Sequence, residues 1–145
     1  MAEPCAQRVD FYVLGERPVD PVLCRLTEKA WRAGHTVFIL AQSERHAHHL
    51  DSLLWSWRQE SFLPHELDGP DAESPVRIGW ASEPHEATQV LINLTSEAPP
   101  FHARFERVAE LVAGDEAQRA LARERYRYYR DSGCDVHSHD LQGAP

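Results

Sequence analysis

Short apolar runs alternate with amphipathic stretches along the first half of the chain. Residues 8–14 and 36–41 are rich in β-branched and aromatic residues, which favours strands, and the second run is apolar enough to be buried on both faces. Between them, apolar side chains recur at helical spacing from Asp20, a candidate cap, to Gly34, a candidate stop. A second helical stretch begins after Ser43, its candidate cap. This strand–helix–strand–helix order predicts a parallel sheet with right-handed crossovers.

The second half of the chain predicts two more strands and two more helices. Residues 76–80 and 89–94 have the composition of strands, and 69–75 before them is typical of a surface loop. Apolar residues at helical spacing predict a helix over 101–112, and a last helix over 115–130 follows.

Composition is consistent with one folded unit. The 145 residues are 42% hydrophobic and include four tryptophans, which is enough to build one core. We therefore predict an α/β fold: a single domain over residues 1–133, with a mostly parallel sheet flanked by helices. Residues 134–145 are predicted to be a polar C-terminal tail. No internal repeat or domain linker interrupts this order.

Charge and cysteine content indicate which ligands and which cellular compartment the protein suits. A net charge of −8 argues against nucleic-acid binding by the whole surface, although not against a local basic site. Cys5, Cys24 and Cys134 are odd in number, show no CxxC spacing and have no secretory signal ahead of them, so we expect reduced thiols. The longest apolar run, around 37–41, is too short to span a bilayer. These features predict a cytoplasmic protein without a membrane segment.

The motifs of common enzyme sites are absent from the sequence. The turn at 15–20 contains one glycine and one proline, and it matches neither the phosphate loop nor the dinucleotide-binding pattern. His46 and His49 have the spacing of half a zinc site but lack a matching second pair, and Cys24 lies among core positions of a helix. We therefore expect no catalytic residue, metal or cofactor. A metal- or nucleotide-dependent hydrolase or nuclease on a similar fold is the alternative.

The last predicted helix contains an unusual concentration of arginine. Segment 119–130 carries five arginines against one glutamate. On a helix, one arc of about 60° contains Arg119, Arg123, Tyr126 and Arg130, with Arg127 beside it. We call these five residues the arginine stripe. The opposite side, with Ala117, Leu121 and Tyr128, is predicted to pack on the core.

Such a stripe suits a particular kind of ligand. Arginines can grip a carboxylate bidentately, and a tyrosine ring between them offers an apolar wall. This combination favours a short acidic peptide that ends in a hydrophobic residue. A solvated helix face with pairs to Glu124, or a site for nucleic-acid phosphate, are the alternatives.

A second candidate surface lies at the end of the second predicted helix. Trp55 and Trp57 are two residues apart, so they cannot both face one core from a helix. Phe62, Leu63 and Pro64 follow without intervening polar residues. We call Trp55 and residues 62–64 the tryptophan patch, which is either a partner interface or a satellite apolar cluster.

Several segments, taken in their order and spacing, resemble the chi subunit of DNA polymerase III. The resemblance covers about residues 9–133. Its pieces are FYVL at 11–14, KAWRAGHTV at 29–37, LDSLLW at 50–55, ESFLPHEL at 60–67, PVRIGW at 75–80, VLINL at 90–94 and LARERYRYYRDSG at 121–133.

This resemblance implies a nucleotide-binding-like α/β fold without a phosphate loop, and a non-catalytic adaptor that contacts nucleic acid only indirectly. Family members bind the psi subunit of the clamp loader and the acidic C-terminal tail of single-stranded DNA-binding protein. The positions that match the tail-binding residues are Val112, Arg119, Arg123, Tyr126 and Arg127. Those that match the psi-binding region are Trp55, Phe62, Leu63 and Pro64. The chain departs from the family at Ala113-Gly114, which replace a proline.

Overall fold

The computed structural model describes residues 8–57, 63–86 and 89–141, which form a parallel sheet flanked by helices. The strands are β1 (Arg8–Val13), β2 (Val37–Ala41), β3 (His65–Leu67), β4 (Val76–Trp80), β5 (Val90–Asn93), β6 (Arg107–Val112) and β7 (Asp135–Asp140). The α-helices are α1 (Val19–Arg32), α2 (Glu44–Ser56) and α3 (Glu116–Asp131). The spatial strand order is β3-β4-β2-β5-β6-β1-β7, with every neighbouring pair parallel. The predicted α/β class is confirmed.

The helices pack on both faces of the sheet. All five residues of β2 are buried, as its continuous apolar sequence predicts for a central strand. Successive side chains of β2 point to opposite faces, so Ile39 packs with α1 and α2, whereas Phe38 packs in the cluster that includes Tyr129 of α3. No helix within the described residues is long and apolar enough to cross a membrane.

The starts of α1 and α2 differ in how they are capped. Ser43 caps α2 as predicted, because its Oγ accepts a hydrogen bond of 3.1 Å from the backbone N–H of His46. The predicted cap at Asp20 is wrong. Helix α1 already begins at Val19, because Pro18 before it fixes an extended entry to the helix, and Asp20 lies in the first turn. Its carboxylate instead lies 2.8 Å from Nε2 of His49 on α2.

The predicted helix over 101–112 is also wrong. The chain there forms one 3₁₀ turn at His102–Arg104 and then strand β6, which lies between β5 and β1. Strand β6 pairs with β1 along its whole length and with β5 over residues 107–110, and this pairing of its backbone outweighs a helical spacing of apolar residues. Phe105 precedes the strand and packs on Phe38 from the loop.

The polar stretch after Gly133 contains strand β7, which pairs with β1 at the edge of the sheet. Its polar sequence is typical of an edge strand with only one neighbour. His139 joins it to β1, because its Nε2 lies 2.8 Å from Oδ1 of Asp10. Burial opposes ionisation of Asp10, but hydrogen bonds from Arg8, His139 and Arg107 prevail and lower its pKa to about 2.

Candidate functional site

The face of α3 that packs on the core differs from the predicted one. Asp115 caps the helix by accepting from the backbone N–H of Gln118 at 2.9 Å. Its buried residues are Ala122, Arg125 and Tyr129. The prediction that Ala117, Leu121 and Tyr128 face the core is therefore wrong: Ala117 is exposed, Leu121 is half-buried and Tyr128 is 46% exposed.

The reason lies in Glu110, a fully buried carboxylate on β6 beneath α3. It accepts hydrogen bonds from Nε of Arg125 at 3.0 Å, the hydroxyl of Tyr129 at 2.7 Å and Nδ2 of Asn93 at 2.9 Å. Burial raises the pKa of Glu110, whereas the positive charge of Arg125 opposes that rise. A buried carboxylate needs such partners, so this network fixes the rotation of α3 about its axis.

With α3 held in this way, a cavity of about 180 Å³ opens between the helix and strands β1, β6 and β7. We call it the groove. Its strand side includes Val13, Val112 and Ser138, and its helix side includes Arg119, Arg123 and Tyr126. Four of the five residues matched to tail binding therefore line one cavity. The fifth, Arg127, is exposed and does not line it.

The groove combines an apolar wall with a charged mouth. The ring of Tyr126 is half-buried and packs on Phe11 with ring centroids 5.4 Å apart, which fixes its position. Val112 is buried at the end of β6, whereas Arg119 and Arg123 are exposed. Such an arrangement can hold an apolar side chain next to an anionic group.

One of the two arginines already holds a carboxylate. The guanidinium Nη2 of Arg123 donates to Oε1 of Glu116 at 2.8 Å, across two turns of α3. Hydrogen bonding and attraction by Arg123 lower the pKa of Glu116. Glu124, the acid considered in the sequence analysis, is therefore not the partner of Arg123. The pair shows that the guanidinium can hold a carboxylate at the mouth of the groove.

In the tryptophan patch, the two tryptophans have different environments. Trp57 is half-buried against the apolar cluster of α1 and α2, whereas Trp55 is 64% exposed. The ring of Trp55 lies on that of buried His65, with centroids 4.8 Å apart. Both ring nitrogens of His65 face carbonyl oxygens, Nδ1 that of Leu63 at 2.8 Å and Nε2 that of Asp51 at 3.1 Å. The exposed ring of Trp55 therefore packs on a His65 ring whose position is fixed by these contacts.

The other members of the tryptophan patch contribute unequally to the surface. Leu63 is buried and packs in the cluster beneath α2, and Pro64 is half-buried. Phe62 lies outside the described residues. Among residues 55–57 and 63–64, Trp55 is therefore the large apolar side chain that is most open to a partner.

The residues considered for enzyme chemistry have other environments. Cys24 is buried, and burial raises the pKa of its thiol to about 11, so it is a poor nucleophile. Nδ1 of His46 lies 3.0 Å from the backbone N–H of Gln42, and His49 contacts Asp20. In the part of the chain that the structure describes, no three His, Cys, Asp or Glu residues are grouped so that they could hold a metal ion.

Comparisons with known proteins agree on one family. The family model described as "DNA polymerase III chi subunit, HolC" matches residues 6–137. Three curated relatives carry the name DNA polymerase III subunit chi. The relative from Pseudomonas aeruginosa is 46% identical over 139 residues, which cover 92% of this chain and 96% of the relative. Those from Escherichia coli and Haemophilus influenzae are 33% and 32% identical, cover 89% and 94% of this chain, and match over 90% and 99% of their own lengths.

Proposed function

The chain belongs to the DNA polymerase III chi subunit family, and from this premise we propose that it is a non-catalytic adaptor of the replisome in the cytoplasm. The groove holds the acidic C-terminal tail of single-stranded DNA-binding protein. The tryptophan patch docks on the psi subunit, which links the chain to the clamp loader. The observation that carries the proposal is the convergence of Val112, Arg119, Arg123 and Tyr126 on one cavity.

The size and charge of the groove match the end of such a tail. A volume of about 180 Å³ suits one apolar side chain, whereas pockets for larger ligands start at about 300 Å³. The terminal side chain would lie against Val112 and Tyr126, and its α-carboxylate would bind Arg123. Arg119 and Arg127 would attract the acidic residues that precede it.

Direct binding of single-stranded DNA fits the surface less well. Segment 119–130, with five arginines and one glutamate, carries +4, so the rest of the chain carries −12 at pH 7. A protein that tracks single strands usually adds a row of stacking aromatic rings in a basic groove. The groove described here has one half-buried tyrosine ring, which already packs on Phe11.

We expect a labelled tail peptide to bind with a dissociation constant on the order of micromolar, because one charge-assisted contact and one small apolar pocket contribute to it. Amidation of the C-terminus or removal of the last residue should weaken binding about tenfold, because each removes one of these contacts. Fluorescence anisotropy measures these affinities, with a single-stranded oligonucleotide as the comparator. Tighter binding of the oligonucleotide, or equal binding of free-acid and amidated peptides, would contradict the proposal.

For the tryptophan patch, we expect Trp55→Ala to weaken binding to psi by more than about 1 kcal/mol, or about fivefold. Tail binding should not change, because the groove lies on another segment. Tyr128→Ala is the matched control, since among the described residues Tyr128 is the other large apolar side chain with high exposure. Isothermal titration of purified psi gives the affinities. A folded Trp55→Ala variant that binds psi normally would show that the patch is not the docking surface.

A further inference from the structure

An acid paired with one of the groove arginines has no role in the proposed function. Glu116 lies in the first turn of α3, and its carboxylate occupies the Arg123 guanidinium at 2.8 Å. We propose that Glu116 is a specificity-determining residue of the groove: it fills the carboxylate position of Arg123 until the α-carboxylate of a peptide displaces it. This inference rests on the proposed function of the groove.

Displacement is structurally easy, because both partners of the pair are exposed. The side chains of Arg123 and Glu116 are 55% and 75% exposed. Asp115, not Glu116, accepts the capping hydrogen bond from the first turn. Glu116 can therefore rotate into solvent while α3 keeps its cap and its buried contacts with Glu110.

The exchange has a consequence for selectivity. When a ligand binds Arg123, its net binding free energy there is the strength of its own contact minus that of the Glu116 contact it displaces. For a simple anion this difference is the whole gain. A peptide end also places an apolar side chain against Val112 and Tyr126, which adds to its affinity. Glu116 thus disfavours isolated anions and DNA phosphates, and the groove responds to a carboxylate joined to an apolar group.

Two substitutions separate this exchange from a general effect of charge. Glu116→Gln removes the ion pair, and we expect the free-acid tail peptide to bind about threefold to fivefold more tightly, the strength typical of an exposed pair. Glu116→Asp keeps the charge but shortens the side chain, so it should also tighten binding. The C-terminally amidated peptide does not compete for Arg123, so its affinity should change much less.

The matched control is Glu124→Gln, which removes the same charge from an exposed position of α3. It should leave the ratio of amidated to free-acid dissociation constants at its wild-type value, whereas Glu116→Gln should raise that ratio about threefold. In an Arg123→Ala background, the ratio should not exceed one with or without Glu116→Gln, because no guanidinium at position 123 is left to bind the α-carboxylate. All affinities come from anisotropy titrations at low ionic strength, with melting temperatures as a check of folding.

The outcomes distinguish failure of the carboxylate exchange at Glu116 from failure of the tail site itself. If Arg123→Ala weakens peptide binding but Glu116→Gln leaves the ratio unchanged, the carboxylate exchange is wrong and the groove assignment stands. If Glu116→Gln and Glu124→Gln tighten both peptides equally, the effect is one of net charge and the exchange is again wrong. If Arg123→Ala does not weaken binding, the proposed tail site itself fails.

Discussion

Arg125→Met is expected to lower the free energy of unfolding by about 3–5 kcal/mol, because it leaves Glu110 buried without its cation. Methionine retains much of the volume of the arginine stem, so the loss is mainly electrostatic. The hydroxyl of Tyr129 and the amide of Asn93 still donate to the carboxylate, but neither neutralises it. Urea denaturation followed by circular dichroism measures the difference.

The same variant should gain a characteristic dependence on pH. Burial already raises the pKa of Glu110 above its ordinary 4.5, and loss of Arg125 removes the attraction that opposes the rise. The folded variant then holds the Glu110 proton more tightly than its unfolded chain does. Its free energy of unfolding should therefore fall as pH rises above about 4.5. We expect the deficit relative to wild type to be smaller near pH 5 than near pH 8.

A second substitution tests whether the buried charge causes the loss. Glu110→Gln added to Arg125→Met removes the charge and keeps a side chain that can bond to Tyr129 and Asn93. It should recover at least about half of the lost stability. Arg127→Met, an exposed position on the same helix, should change stability by less than about 0.5 kcal/mol. An Arg125→Met variant as stable as wild type would show that the network does not anchor α3.

Elements with a strong local pattern could be predicted from the sequence. Strand β2 is apolar throughout because both its faces are covered, and α2 carries its own cap at Ser43. Strands β6 and β7 could not be predicted in this way. Each pairs with β1, a partner about 100 residues or more away in the chain, and β6 also pairs with β5. The apolar spacing of β6 fits a helix, and the polar residues of β7 fit a tail, so neither local pattern reveals the pairing.

The arginine stripe shows which features of α3 a helical wheel predicts and which it does not. It correctly groups Arg119, Arg123 and Tyr126 on one side, because this depends only on 3.6 residues per turn. It assigns the wrong side to the core, because it assumes that the buried residues are apolar, whereas Arg125 is buried. The buried side of α3 carries Arg125, whose partner Glu110 lies in an otherwise apolar stretch of β6. A lone acid at a strand position was the signal for this network in the sequence.

Arg123→Ala is expected to weaken binding of the tail peptide by about 2 kcal/mol, or about thirtyfold. The α-carboxylate of the peptide loses its charged partner beside the apolar wall of Tyr126 and Val112, where water screens the contact less than at the open surface. The substitution also leaves Glu116 at the mouth without its cation, so this acid repels the incoming carboxylate. Anisotropy titrations of the same labelled peptide compare the variant with wild type.

The neighbouring arginines provide graded controls for this prediction. Arg119→Ala should cost less and act mainly through salt-dependent attraction, because its role is to attract the upstream acids. Arg130→Ala should cost least, since Arg130 does not line the groove and already lies 3.4 Å from Asp131. The loss in Arg123→Ala should persist at high salt, whereas the losses at the other two positions should shrink. Equal losses at all three arginines would mean that the stripe attracts the tail only by its net charge and that no carboxylate is held at Arg123.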